Sequence, residues 1–262
     1  MAALDAEIPG QLRGLGSADT SFYKLLIMDM PLRPIYLFAD SQLLFWSHKG
    51  TPFLNTVRER IVPVAPRAAY IGASNGDEPQ FYSIFEAAMN SIGIRDRRMI
   101  PSSFTPVDES FMNEADVILL AGGDVGRGWR VFSQTGLATL IVKRYYEGAS
   151  LIGISAGAVQ LGSFGLVQED SRNQLIETLK LVPFMIGAHE EGQGWESLQE
   201  AIEMLNGSAT GIGIPRGGGL IYFPDGSIEA IRYPLREFSI REGLISSSLR
   251  LPMQWGEGKY LE

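Results

Sequence analysis

The 262-residue chain contains no cysteine, which excludes disulfides, cysteine-based metal sites and every thiol nucleophile. Histidine is nearly absent as well, since His48 and His189 are the two histidines of the sequence. A metal site built from several histidines is therefore not expected, and any serine–histidine chemistry must use one of these two residues. We expect the protein to need neither a metal nor a cofactor.

Long apolar runs and clusters of positive charge are also missing. No run approaches the roughly 18 residues that a membrane helix needs, and residues 1–20 lack the basic and apolar regions of a secretory signal. The formal net charge is −8, without a lysine- or arginine-rich run. These features argue against nucleic-acid and membrane partners and favour a cytoplasmic protein that acts on a small peptide or amide substrate.

After the N-terminal segment, short apolar runs alternate with helix-like segments. The runs at residues 35–39, 68–73 and 116–121 are largely apolar, which is typical of parallel strands covered on both faces. Helix-like segments at residues 80–92 and 129–146 lie between such runs. This alternation predicts an α/β fold with a mostly parallel open sheet and helices on both faces.

The domain organisation is simple. Residues 1–33 are predicted to be an N-terminal extension and residues 34–262 a single α/β domain. An apolar patch in the extension, at residues 25–28, suggests a homodimer contact. The elements predicted in the C-terminal half are strands at residues 182–187 and 209–214, a helix at residues 195–205 and a hairpin with its turn at Asp225-Gly226. No clear motif follows residue 234.

Residues 153–157 are Gly-Ile-Ser-Ala-Gly and directly follow an apolar run. A strand that enters a helix through such a sharp turn places the central serine at its tip, and glycine on each side leaves room for the turn. Ser155 is therefore the predicted nucleophile, and the first amides of the following helix could hold an oxyanion. A glycine-rich turn without catalysis is the alternative that the pentad alone leaves open.

A nucleophilic serine needs a base, and the two histidines are the candidates. His189 follows a predicted strand, whereas His48 lies in a polar loop before most of the sheet, so we prefer His189. A carboxylate should orient this base. The acidic residues between serine and histidine are Glu169 and Asp170, with Glu177 more remote, and spacing does not choose between the first two. The order serine, acid, histidine is typical of nucleophile-elbow hydrolases.

A second glycine turn, Gly122-Gly123-Asp124, follows the strand at residues 116–121. Its glycines allow a backbone amide of the turn to approach a reacting carbonyl, and a second oxyanion donor could be the amide of Ala156, the residue after the predicted nucleophile. Right-handed crossovers bring this turn, the loop that carries Asn75 and the serine to one edge of the sheet. Asn75 and Asp124 are therefore substrate-binding candidates, although Asp124 is expected mainly to cap the next helix.

These segments resemble the dipeptidase E and cyanophycinase family of serine peptidases, relatives of the class I glutamine amidotransferases. The resemblance covers roughly residues 34–232 and is carried by residues 118–124, 151–158 and 211–214 and by His189. It implies a flavodoxin-like sheet and hydrolysis through an acyl-enzyme. A glutamine amidotransferase itself is excluded, because its thiol nucleophile has no candidate here.

The resemblance also implies residue roles and substrates. The roles are nucleophile for Ser155, base for His189, oxyanion amides for Gly123 and Ala156, and triad acid for Asp170 in preference to Glu169. Family members cleave short peptides after aspartate or the β-aspartyl-arginine units of cyanophycin. The implied activity is that of a serine-type exopeptidase on small peptides, with aspartyl or other acidic substrates included.

The sequence departs from the family in two places. Residues 190–195 contain no arginine, unlike the matching segment of cyanophycinases, and Pro215-Arg216 stands where the family usually has an acidic residue. We hypothesise that Arg216 directs one subsite toward a substrate carboxylate, and a plain surface role is the alternative. Cyanophycin is therefore not the expected substrate.

Three functions fit the sequence. The leading hypothesis is a serine hydrolase of peptide or isopeptide bonds in small substrates. The second is an amidase, esterase or acyl transferase of a biosynthetic pathway that uses the same acyl-enzyme on another acceptor. The third is a binding protein of the same fold that has lost the reaction, against which the intact set of serine, acid and histidine argues.

Overall fold

The computed structural model describes residues 32–169, 172–205, 209–241 and 244–252. Almost all of the predicted N-terminal extension, including the apolar patch at residues 25–28, lies outside the described residues. The homodimer contact therefore stays a prediction. None of the helices in the described ranges is long and apolar enough to cross a membrane.

The described residues form fifteen strands and seven α-helices. In chain order the strands are β1 (Ile35–Phe38), β2 (Ser47–His48), β3 (Thr51–Pro52), β4 (Arg67–Ile71), β5 (Asp96–Ile100), β6 (Val117–Leu120), β7 (Ser150–Ile154), β8 (Phe164–Glu169), β9 (Arg172–Glu177), β10 (Met185–Ala188), β11 (Thr210–Ile214), β12 (Gly219–Tyr222), β13 (Ile228–Ile231), β14 (Leu235–Arg241) and β15 (Leu244–Arg250). The helices are α1 (Asn55–Arg58), α2 (Pro79–Ser91), α3 (Pro106–Met112), α4 (Val125–Thr135), α5 (Leu137–Tyr146), α6 (Ala156–Leu161) and α7 (Glu196–Met204).

Seven strands form a central sheet in the order β13-β12-β1-β7-β6-β4-β5. The strands from β1 to β5 in this order run parallel, while β12 and β13 form an antiparallel edge. This edge is the predicted hairpin with its turn at Asp225-Gly226. The chain passes from β4 to β5 and then returns to β6 on the other side of β4, so the carboxyl ends of β4 and β6 flank a topological switch point. The predicted α/β fold with a mostly parallel sheet is confirmed.

The strands in the middle of this sheet are covered on both faces. In β1, Ile35 and Leu37 join the core on one face, while Tyr36 and Phe38 join the core on the other. All four side chains are buried. This double burial explains the apolar runs in the sequence, because neither face of such a strand meets water.

The helix predicted over residues 129–146 is two helices in the structure. Helix α4 ends at Thr135 and α5 begins at Leu137, with Gly136 between them at φ +79. A residue in this left-handed conformation ends an α-helix, and glycine adopts it without steric strain. The prediction of one helix was wrong because a glycine inside an amphipathic pattern does not show whether it is tolerated or ends the helix.

A second sheet of four strands has the order β10-β11-β14-β15, in which only β10 and β11 pair in parallel. Its inner face packs on the central core through Ile186, Ile212 and Ile214. Glycines alternate with these isoleucines on the outer face, where a Cβ on Gly213 would lie 2.6 Å from the indole ring of Trp195. The segment that begins α7 therefore packs against this sheet more closely than any larger residue would allow.

Candidate active site

Ser155 lies on the sharp turn between β7 and α6. Its backbone has φ +49 and ψ −111, a combination that residues with a side chain rarely adopt. Both flanking glycines are required by close contacts, since a Cβ on Gly153 would lie 2.7 Å from the Cα of Ala158, and one on Gly157 would lie 2.1 Å from the carbonyl oxygen of Leu120. Strand, turn and helix thus present the serine in the geometry of a nucleophile elbow.

His189 follows β10 and reaches the serine from the second sheet. The distance from its Nε2 to the Oγ of Ser155 is 2.8 Å, within hydrogen-bonding range. Its backbone amide donates to the carbonyl of Ile214 at 2.9 Å and its φ is +51, so a turn anchored to β11 orients the ring. An imidazole in this position can accept the serine proton at Nε2 when its own proton is on Nδ1. His48 lies in the β2–β3 hairpin and does not line the cavity that holds Ser155.

The glycine turn after β6 contacts the serine. A Cβ on Gly122 would lie 3.3 Å from the Cβ of Ser155, and one on Gly123, at φ +136, would lie 2.2 Å from the carbonyl oxygen of Ser74. Within the described ranges, neither the amide of Gly123 nor that of Ala156, the first residue of α6, donates to an acceptor of the protein. Both N–H groups are thus available to an oxyanion next to the serine.

The two candidate acids differ in whether the structure describes them. Asp170 lies outside the described residues. Glu169 is the last residue of β8, is exposed, and is in register with Arg172 of β9. Among the described residues, Glu169 makes no hydrogen bond or ion pair with His189. The choice of Asp170 over Glu169 as triad acid stays a prediction.

Glu190 is a partly buried acid next to His189 that the sequence analysis missed. Burial raises the pKa of its carboxyl, while hydrogen bonds from the Leu198 amide and the Ser197 hydroxyl, and charge on His189, act to lower it. Its Oε2 is buried and has no hydrogen-bond partner in the part of the chain described. The carboxyl lines a cavity of about 330 Å³ between the β8–β9 hairpin, β10 and α7. The sequence shows only that Glu190 directly follows His189, and this position does not distinguish a buried acid from a solvated one.

Ser155 and His189 open onto a different cavity, also of about 330 Å³. Its wall comes from the ends of β1, β4, β6 and β7 and from the first turns of α2. Asn75, a substrate-binding candidate, lies in this wall, and its amide donates to the Tyr70 hydroxyl at 2.9 Å. The sequence predicts α2 as an amphipathic helix, but its apolar pattern does not show that Phe81 faces a cavity.

The other two substrate-binding candidates are placed differently. Asp124 caps α4, where its carboxylate accepts a hydrogen bond of 2.5 Å from the amide of Arg127, and it does not line the cavity. Arg216 is exposed and lines a neighbouring polar cavity with Asp40 and His189. The histidine therefore lies between an apolar cavity on one side and a polar one, with an arginine, on the other.

Comparisons with known proteins agree with this arrangement. The profile of peptidase family S51 matches residues 46–231, more than half of the chain. The structure is similar to that of a peptidase from an acI-B1 actinobacterium, with a TM-score of 0.65 and 17% identity over 86% of this chain and 96% of the other. It is also similar to a proposed peptidase E protein from Listeria monocytogenes EGD-e, with a TM-score of 0.53 and 16% identity over 84% of this chain and 99% of the other. The chain matches none of the curated proteins at a significant level.

The two structural similarities support the fold, and the profile supports the family. Its match spans the elements that carry Ser155, the glycine turn after β6 and His189. The resemblance to the dipeptidase E and cyanophycinase family is thereby confirmed. The chain belongs to peptidase family S51 and is a dipeptidase-like serine hydrolase.

Proposed function

We propose that this enzyme hydrolyses short peptides through an acyl-enzyme on Ser155. The observation that carries the proposal is the distance of 2.8 Å between the Oγ of Ser155 and the Nε2 of His189. The backbone strain at Ser155 supports it, because strained residues persist where the surrounding structure enforces them and cluster at active sites.

In the acylation step, Ser155 Oγ attacks the carbonyl carbon of the scissile amide while its proton passes to His189 Nε2. The carbonyl oxygen becomes an oxyanion and accepts hydrogen bonds from the amides of Gly123 and Ala156. When the tetrahedral intermediate collapses, the carbon–nitrogen bond breaks and His189 donates the proton to the leaving amine. The acyl group remains on Ser155 as an ester.

In the deacylation step, water takes the place of the departed amine. His189 accepts a proton from this water as it attacks the ester, and the same two amides hold the second oxyanion. Collapse returns the proton to Ser155 and releases the acid product. We assign to Asp170 the task of holding the His189 ring and stabilising the imidazolium, as the resemblance implies.

Arg216 has a place in this proposal as a carboxylate-binding residue. It lines the cavity on the His189 side, toward which the leaving amine must lie in order to be protonated. The leaving group of a dipeptide is an amino acid with a free carboxylate, and a guanidinium binds a carboxylate through two parallel hydrogen bonds. This arrangement favours short peptides, whose terminal carboxylate lies close to the scissile bond.

The experiment that tests the proposal combines a fluorophosphonate probe, intact-mass spectrometry and a dipeptide library. Wild-type protein should gain one adduct and cleave dipeptides, while Ser155→Ala should gain none, and His189→Ala should react far more slowly. Loss of either residue should lower kcat on the order of 10⁴- to 10⁶-fold. Arg216→Glu should raise KM for dipeptides about tenfold, the effect of one lost charged contact.

Two outcomes would contradict the proposal. Absence of both adduct and cleavage would favour a binding protein that retains the fold. Hydrolysis of esters together with inactivity on every dipeptide would favour an esterase or acyl transferase that uses the same Ser155 acyl-enzyme.

A further inference from the structure

We propose that the cavity next to Ser155 binds an uncharged, apolar side chain on the acyl side of the scissile bond, so that leucyl and phenylalanyl peptides are better substrates than aspartyl peptides. The inference rests on the proposed function, because it concerns the acyl group that Ser155 receives. It differs from the aspartyl preference that the family resemblance implies.

The position of the cavity identifies it as the acyl side. Ser155 lines it together with Gly122 and Gly123, the turn whose amide would hold the carbonyl oxygen. The leaving amine lies toward His189, which also opens onto the neighbouring cavity with Arg216. A peptide whose carbonyl oxygen is at Gly123 and whose leaving group points toward Arg216 therefore places its acyl side chain in the cavity next to Ser155.

The wall of this cavity is mainly apolar. Its hydrophobic side chains include Leu44, Phe81, Ile84, Leu119, Ala121 and Ile154. An apolar side chain that enters removes water from these surfaces as well as from itself, which is favourable in proportion to the area covered. The volume of about 330 Å³ lies at the small end of the range for small-molecule sites and suits one amino-acid residue.

Apart from His189, which acts as a base in the proposed mechanism, the polar groups in the wall supply no positive charge for a substrate carboxylate. Tyr70 and Asn75 are hydrogen-bonded to each other, and burial raises the pKa of Tyr70, so its hydroxyl stays neutral. Asp40 adds a negative charge, and its carboxylate accepts hydrogen bonds from the amides of Gln42 and Gly217, each at 2.8 Å. The fixed charge of the wall is therefore negative.

No lysine or arginine lines this cavity in the described part of the chain. Arg127 lies next to Gly76, outside the wall, and Arg216 lines the neighbouring cavity. An aspartyl side chain would thus lose water, gain no cationic partner and lie in the same cavity as Asp40. A carboxylate transferred under these conditions binds poorly, whereas a leucyl or phenylalanyl side chain meets no such penalty.

The test is a matched series of dipeptides given to the full-length enzyme after its reaction with the fluorophosphonate has been established. The amino-terminal residue is Leu, Phe, Asn or Asp, and the second residue is always Leu. We expect kcat/KM for the Leu and Phe members to exceed that for the Asp member by about tenfold or more. The Asn and Asp members differ in charge at nearly equal size, so their ratio isolates the charge.

A charge-addition variant tests the same wall from the protein side. Phe81 lines the cavity and is 42% exposed, so Phe81→Arg adds a cation without emptying the core. The Asp-to-Leu ratio of kcat/KM should rise about tenfold or more. Val64→Arg is the control and should leave the ratio unchanged. Val64 is 95% exposed and precedes β4, so it lies at the amino end of this strand, whereas the cavity lies at the carboxyl ends of the strands.

The outcomes separate the inference from the proposed function. An enzyme that forms the Ser155 adduct and cleaves the Asp member as fast as the Leu member overturns the inference and leaves the peptidase function intact. If esters of the same acyl groups are the sole substrates, the peptidase function fails, and the Leu-to-Asp ratio among the esters still decides the inference. No adduct and no hydrolysis overturns both.

Discussion

The proposed nucleophile and the proposed base come from two sheets of different construction. Ser155 and Gly123 follow strands of the central sheet, whose middle strands are covered on both faces. His189 follows β10 of the four-stranded sheet, which packs on the central core with one face and on α7 with the other. The proposed reaction therefore depends on how the smaller sheet is held against the larger one.

The close contacts in the two sheets also differ. Gly157, beside the nucleophile, lies against the backbone of Leu120 in β6, whereas Gly213, in the strand next to His189, lies against the side chain of Trp195. A strand backbone in the middle of a sheet cannot shift without breaking hydrogen bonds, while an indole ring can move as a side chain. We infer that Ser155 is held more rigidly than His189.

The largest expected effect tests whether the central sheet fixes the oxyanion amide as well as the serine. Gly123→Ala adds a Cβ that would lie 2.2 Å from the carbonyl oxygen of Ser74, so the turn must shift and move the amide. We expect kcat to fall about 10²- to 10³-fold with a folded protein, as for loss of one oxyanion donor. Steady-state kinetics and circular dichroism check this.

Gly136→Ala is the matched control for that substitution. Gly136 also has a positive φ, but a Cβ there meets no atom within 4 Å. This variant should lose about 1–2 kcal/mol of stability from backbone strain while its kcat stays unchanged. If Gly123→Ala behaved in the same way, its amide would not be an oxyanion donor.

A smaller effect, on stability, compares the two sheets directly. Gly157→Ala forces a Cβ against backbone and should lower the free energy of unfolding by roughly 3 kcal/mol or more, whereas Gly213→Ala displaces an indole ring and should lower it by about 1 kcal/mol. Urea unfolding of both variants measures the difference. Equal losses would show that the smaller sheet is packed as rigidly as the central one.

The smallest effect concerns the carboxyl of Glu190 beside the base. Because burial raises its folded-state pKa, its contribution to stability is present below its unfolded pKa of about 4.3 and is lost as pH rises through the folded value. Glu190→Gln cannot ionise, so its stability relative to wild type should increase with pH, by less than about 1 kcal/mol because the site is partly exposed.

Unfolding free energies at about pH 4 and about pH 7 measure this shift. Glu203→Gln, which makes the same change at an exposed acid in α7, is the control with which the Glu190→Gln difference is compared. A Glu190→Gln variant that lost stability as pH rose would mean that the carboxylate form is the stabilised one.

The central sheet and the elbow could be predicted because their signals are local. β4, β6 and β7 are each an apolar run followed by a turn that contains glycine. A strand that is buried on both faces accepts few residues other than apolar ones. β9 and β15 were not predicted, since β9 is Arg-Asn-Gln-Leu-Ile-Glu and β15 is Leu-Ile-Ser-Ser-Ser-Leu-Arg, with mostly exposed side chains. Such strands form through pairing with a neighbour, which a single segment does not reveal.

The features of the site also divide into those that could be predicted from the sequence and those that could not. The positions of Ser155 and His189 at strand ends follow from sequence order, because parallel strands end at one edge. The cavity wall does not, since Leu44, Phe81 and Ile154 come from distant segments that tertiary packing brings together. The buried state of Glu190 likewise depends on α7, which contacts it from the other side of the turn.

Ser155 Oγ is carried by one sheet and His189 Nε2 by the other. The proposed activity should therefore be sensitive to local unfolding of either sheet. Proteins open in parts, and a region with strands of mostly exposed side chains, such as β15, belongs to the less stable parts. An excursion that loosened the smaller sheet would draw the imidazole away from the hydroxyl while the larger sheet kept its structure. On heating, activity would then be lost at a lower temperature than the circular dichroism signal of the chain. On cooling, activity would return without refolding of the whole chain.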